Sequence, residues 1–214
     1  LMFAADNKDV LMGPNWVGGN MGWPTSADNA NSSILTSSSS AMSEYVKSVP
    51  VFKCPSDLAT DSLGQVRVRS YTLNSATGGT VGMPLGGTYP GNRIYISAKR
   101  LSDLNKPGPV NTWTFMDEHP DSITDGEFKF HPGAAPASYS WRDLPSSHHN
   151  GAAGISFADG HSIIKKWMDS RTKQATQKQF KWWELIPPNP GPGSFRVRDS
   201  VDYAWMNDGT PYTE

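Results

Sequence analysis

Glycine and proline set the first limit on this chain. Twenty glycines and seventeen prolines interrupt its 214 residues, so long helices and long regular strands have few places to form. Residues 13–24 read Gly-Pro-Asn-Trp-Val-Gly-Gly-Asn-Met-Gly-Trp-Pro and admit neither. Eight tryptophans and an 11% aromatic share nevertheless require burial, so the chain folds despite a mean hydropathy of −0.51. The expectation is one loop-rich unit over residues 1–214 with a sizeable core.

Charge narrows the partners. Nineteen Lys and Arg against twenty Asp and Glu leave a net charge of −1, with no basic excess to neutralise a phosphate backbone. Nucleic-acid binding is therefore disfavoured. Cys54 is the sole cysteine, which rules out an intrachain disulfide. Loops must then be held by packing, by a metal, or by neighbours in an assembly. No run of about 18 apolar residues is present to span a membrane.

Local patterns place the elements. Residues 1–10 carry a weak helical pattern that ends in Asp6-Asn7-Lys8-Asp9. Met42, Tyr45, Val46 and Val49 predict a helix over 40–48, stopped by Pro50. Residues 65–74 alternate apolar and polar at period two and predict a strand. Residues 94–96 read as a strand or an extended lead, and 112–116 as a strand ending in acids. Residues 154–158 and 162–167 flank Asp159-Gly160, a strong hairpin signal. Residues 170–183 are polar and helix-permissive, and 187–193 break all regular structure.

Three constellations can carry chemistry. Directly after the 112–116 strand come Asp117, Glu118, Asp121, Ser122 and Asp125, hard oxygen donors on an irregular loop, as Ca²⁺ prefers. The other reading of this loop is a solvated acidic turn capped by its own side chains. Five histidines follow: His119, His131, His148, His149 and His161. His149 and His161, with Asp159 between them, either bind a metal or hold a hairpin through hydrogen bonds. An enzymatic or glycan-binding reading draws on Glu118, His119, His149, Asp159 and His161, with exposed tryptophan to stack on sugar rings. Asp117 and Glu184 extend the supply of carboxylates, and one of Trp182 and Trp183 is expected to be exposed. No serine-nucleophile elbow and no glycine-rich phosphate loop occur. Cys54, flanked by apolar residues and Pro55, reads as a small core residue.

The order of several segments carries a resemblance. His149, nine residues and then Asp159-Gly160 form an H-X9-DG motif. Met2-Phe3-Ala4-Ala5-Asp6-Asn7, Phe52-Lys53-Cys54-Pro55-Ser56-Asp57, Ser70-Tyr71-Thr72-Leu73-Asn74 and Asp117-Glu118-His119-Pro120-Asp121-Ser122 stand in the matching order. The set resembles the prepilin-type processing-associated H-X9-DG proteins, which are related to type IV pilins and type II secretion pseudopilins. The resemblance implies an α+β, pilin-like fold, with the end of an N-terminal helix (residues 1–10) packed on an antiparallel sheet with long irregular loops. It also implies a structural subunit that associates with itself or with other pilin-like subunits. Such a protein is periplasmic or at the cell surface, anchored to the inner membrane as a precursor through a hydrophobic helix this chain lacks. Calcium in the Asp117–Asp125 loop would match pseudopilins by chemistry, although the spacing differs. Residues 170–214 align with nothing in that family.

Overall fold

The computed structural model describes residues 2–78, 89–181 and 195–213. Trp182, Trp183, Glu184 and the 187–193 break lie outside the described residues. In chain order the helices and strands are α1 (Met2–Asp6), α2 (Ser33–Thr36), β1 (Tyr71–Asn74), β2 (Ile94–Tyr95), β3 (Trp113–Asp117) and β4 (Glu127–Phe128). There follow β5 (Ser140–Trp141), β6 (Ala152–Phe157), β7 (Ser162–Lys166), β8 (Phe195–Arg196), α3 (Val201–Asp208) and β9 (Tyr212–Thr213). Short 3-10 turns, among them Ala41–Glu44 and Val49–Phe52, stand where a 40–48 helix was expected. Pro50 at the start of the second turn sets φ for it and prevents the two from merging.

The main sheet has five strands in the order β4-β1-β3-β6-β7. Its pairs are antiparallel except β1 with β4, which is parallel, so the sheet is mixed. Two ribbons, β2–β9 and β5–β8, flank it. The hairpin of β6 and β7 turns where the Asp-Gly pair predicts, through residues 158–160 with Gly160 at φ +97°. Gly160 donates its N–H to Phe157 O at 3.0 Å, giving a three-residue loop rather than a two-residue turn. The outer strand β7 is largely exposed and carries Lys165 and Lys166, charges that discourage edge pairing.

The pilin-like expectation fails on this architecture. The fold is rich in sheet, and among the described residues its three helices are short, of five, four and eight residues. Five residues with only Ala4 buried cannot cover a five-stranded sheet. Instead α1 lies beside Tyr45, with the Phe3 and Tyr45 rings 5.9 Å apart and the Tyr45 hydroxyl donating to Asp6. The sheet's cover comes from the other end of the chain. Tyr203 and Met206 of α3 are fully buried with Trp113, Phe128, Phe130, Trp141 and Trp167 in the main core. The stretch after residue 170 is thus built into the fold: β8 pairs with β5, and β9 pairs with β2.

The 65–74 alternation has the predicted period and the opposite face. Only 71–74 is a regular strand, and Val66 is 63% exposed while Arg67 and Arg69 are each 1% exposed. The arginines point inward because backbone carbonyls wait there for them. Arg67 donates to Pro120 O (2.6 Å) and Ile123 O (3.0 Å). Arg69 donates to Thr124 O, Asp125 O and Tyr71 O.

Candidate metal centre and the acidic loop around it

The acidic loop is buried. Asp117, Glu118, His119, Asp121 and Ser122 are each at most 1% exposed, which excludes the solvated-turn reading. Among the described residues its carboxylates do not gather into a set that could hold one cation. Asp117 Oδ2 accepts from Gly154 N–H at 2.7 Å, and Asp121 Oδ2 accepts from Gln177 N–H at 2.6 Å. Ser122 Oγ exchanges bonds with the backbone of His119 and Leu144. Asp125 pairs with Lys129 and accepts from Glu127 N–H. The loop's carbonyl oxygens are taken by Arg67 and Arg69, so guanidinium groups supply the positive charge that calcium was expected to bring. Nothing in this loop indicates calcium.

Two tryptophans brace the same loop. Trp16 Nε1 donates to Gly126 O at 2.7 Å and Trp23 Nε1 to Pro120 O at 2.8 Å. The Arg67 guanidinium lies 4.8 Å from the Trp23 ring centre and that of Arg69 lies 5.7 Å from Trp16. Burial pulls both arginines down to about 10 and lifts the Glu118 carboxyl well above its ordinary range. Asp143 raises Glu118 further, while Arg69 opposes the rise. His119 is buried and pushed down to about 4. Its ring is held at both nitrogens: Nδ1 accepts from Asp121 N–H at 3.1 Å, and Nε2 faces Gln174 O at 3.1 Å.

The five residues of the enzymatic reading are not gathered. His149 precedes β6 and His161 follows it, so about 20 Å of six-residue strand separates them. His161 is partly exposed, bonded to Asp159 at 2.7 Å and stacked on Phe157 with ring centres 4.2 Å apart. His119 and Glu118 are interior. Four of the described tryptophans are spent inside as well: Trp113, Trp141 and Trp167 are fully buried and Trp16 nearly so. His131 lies elsewhere, its backbone exchanging hydrogen bonds with the Tyr203 hydroxyl.

What does meet is a set that no local pattern announces. Cys54 follows the 3-10 turn Val49–Phe52, Asp117 ends β3, and His149 sits in the loop before β6. His149 Nε2 lies 3.4 Å from Cys54 Sγ and 3.1 Å from Asp117 Oδ2. One ligand atom from each residue falls within 4.8 Å of the other two, so the trio can hold a metal ion. Cys54 and Asp117 are 2% and 1% exposed, and His149 closes the outer side with 28% of its side chain exposed. Burial pushes the Cys54 thiol up, and the Asp117 charge adds to the rise. Burial also lifts Asp117, against the Gly154 N–H and the imidazole. Beneath the trio, Ser70 Oγ donates to Asp57 Oδ2 at 2.6 Å and accepts from Cys54 N–H at 3.2 Å. Lys53 pairs with Asp57 at 2.7 Å, and His148 Nε2 lies 3.7 Å from its other oxygen.

Cys54, Asp57, Ser70, Asp117 and His149 come from four separate sequence segments and form one connected cluster. The buried pair Arg67 and Arg69 was missed at the sequence level. Its one sequence signal is two cations at alternate positions beside an acid-rich loop that needs neutralising. Comparison with protein-family models, with curated proteins and with solved structures finds no match to this chain.

Proposed function

We propose that this chain is a non-catalytic assembly subunit of the H-X9-DG type, acting at the periplasmic face or cell surface of a secretion or filament system. The observation that carries this reading is where the motif side chains are spent. Ser70 Oγ donates to Asp57 and accepts from Cys54 N–H, and Asn74 donates to Trp113 O and accepts from Ala76 N–H. Asp159 and Gly160 turn a hairpin. Residues that hold the chain to itself make a rigid unit for packing into an assembly. An apolar groove of about 350 Å³, lined by Met2, Phe3, Leu101, Phe115 and Phe157 among others, has no Asp, Glu, His, Lys or Arg in its lining, and its Tyr45 hydroxyl is bonded to Asp6.

Lateral contact falls to apolar side chains left in solvent. Leu58, Leu63 and Val66 are 85%, 71% and 63% exposed on one loop, where they gain nothing in an isolated chain. Sedimentation velocity over a wide concentration range tests this reading. The expected result is weak, concentration-dependent self-association that Leu58→Ser with Leu63→Ser abolishes without changing the melting midpoint. A strict monomer at every concentration, or turnover on a glycan panel, overturns it.

A further inference from the structure

We infer that Cys54, Asp117 and His149 form a zinc site that ties three distant parts of the chain together. The inference stands on geometry and ligand chemistry and does not depend on the assembly reading. A tetrahedral zinc with sulfur at about 2.3 Å and nitrogen or oxygen at about 2.0–2.1 Å places S and N about 3.5 Å apart, and N and O about 3.3 Å apart. The observed separations are 3.4 and 3.1 Å. The donors already stand close to where such an ion needs them.

Two alternatives fail on the same atoms. A nucleophile–base–acid relay needs the thiol and the carboxylate on opposite imidazole nitrogens, so that one accepts the proton and the other holds the ring. Here both converge on Nε2, which cannot donate to Asp117 and accept from Cys54 at once. Convergence on one nitrogen is what a shared ion produces. Calcium fails because a thiol and an imidazole are poor partners for a hard cation. A mixed S, N, O set of three protein ligands, with His149 partly exposed on the outer side, suits zinc.

A second observation points to a ligand. Asp117 Oδ1 is buried without a hydrogen-bond partner among the described residues, although Oδ2 has two. A buried carboxylate with one oxygen unbonded and the other facing the imidazole is costly to keep charged unless a cation lies beside it. The benefit matches the chain's need. Cys54 and His149 are 95 residues apart and His149 and Asp117 are 32 apart, in a chain with no disulfide. A clip across such loops removes much of the unfolded chain's freedom.

The test uses the purified chain, stripped with a chelator, desalted and titrated with zinc chloride. One zinc per chain is expected. Zinc at a hundredfold excess over its dissociation constant should raise the melting midpoint by about 5–10 °C. Cobalt(II) as the probe should give a thiolate charge-transfer band with tetrahedral visible bands. Cys54→Ser preserves size and should abolish that band, with at least about a tenfold loss of zinc affinity, the least that even outer-shell partners are worth. His149→Ala alters a partly exposed side chain and should lose zinc uptake while keeping the circular dichroism of the stripped parent. The inference is overturned by absent stoichiometric zinc, by cobalt bound without the thiolate band, or by either variant keeping the parent's affinity. A calcium-driven melting shift that survives Cys54→Ser also overturns it.

Discussion

Two interiors lie side by side in this molecule and are held by opposite means. The one under α3 is aromatic: Trp113, Phe128, Phe130, Trp141 and Tyr203 pack with ring centres 4.8–6.2 Å apart, in tilted and edge-on pairs. The one around Arg67 and Arg69 is polar: guanidinium groups, carbonyls, acids and a histidine fill a space just as closed to water. Apolar burial is non-directional and tolerates small shifts, whereas a buried polar network holds only while every partner is present. The first interior resists changes in protonation, and the second is exposed to them.

The largest effect is expected where packing dominates. Trp113→Ala opens a cavity, breaks the Nε1 bond to Met206 O and removes the ring that Gly209 lies against. Chemical denaturation should show a loss of about 4 kcal/mol, the usual scale for a large aromatic truncated in a core. Equal stability would mean that the aromatic interior is not the stabilising half. Next comes the polar interior. Arg69→Met keeps the length of the side chain but removes three hydrogen bonds to backbone carbonyls and a cation whose charge acts on Glu118. A loss of about 3 kcal/mol is expected. A smaller loss than that of a surface arginine such as Arg198 would show that water enters this region.

The smallest effect separates the two interiors by pH. His119 falls from 6.5 to about 4 on folding, so between these values the unfolded chain binds a proton that the native state refuses. Its contribution is present above pH 6.5 and is lost as pH falls toward 4. Between pH 7 and pH 5.5 the loss is about 1 kcal/mol. His131 and His148, also lowered by burial, act in the same direction, while Glu118, lifted by burial, acts against them. The reading is therefore the difference between parent and His119→Gln, whose melting midpoint should depend less on pH over this range. Identical slopes would remove His119 from the account.

The sequence reveals the aromatic half better than the polar half, for physical reasons. Strand β3 and the β6–β7 hairpin show because apolar runs bounded by turn residues leave a local trace, and Trp113 and Trp167 are buried as their strands suggest. Alternation at 65–74 gives a period but no face, and the inward side carries arginines because their partners are carbonyls more than fifty residues away. Helix α3 is masked in the same way. Asp202 and Asn207 sit on its buried side, accepting Met168, Asp169 and Gly133 N–H groups, and so blur its apolar stripe. Cys54, Asp117 and His149 belong to three different sequence patterns, and only the fold shows that they touch. The expected helix over 40–48 gives way to 3-10 turns because Pro50 and close contacts with Trp16 and Leu35 outweigh local spacing.

The place of α3 near the end of the described chain constrains the order of events during synthesis. Tyr203 and Met206 close a core whose other walls, from Trp113 to Trp167, leave the ribosome long before them. At about 5–20 residues per second, Trp113 waits roughly 5–20 s for its lid. Throughout that interval the nascent polypeptide displays a cluster of unroofed indole and phenyl rings, a natural target for a holding chaperone until α3 has emerged.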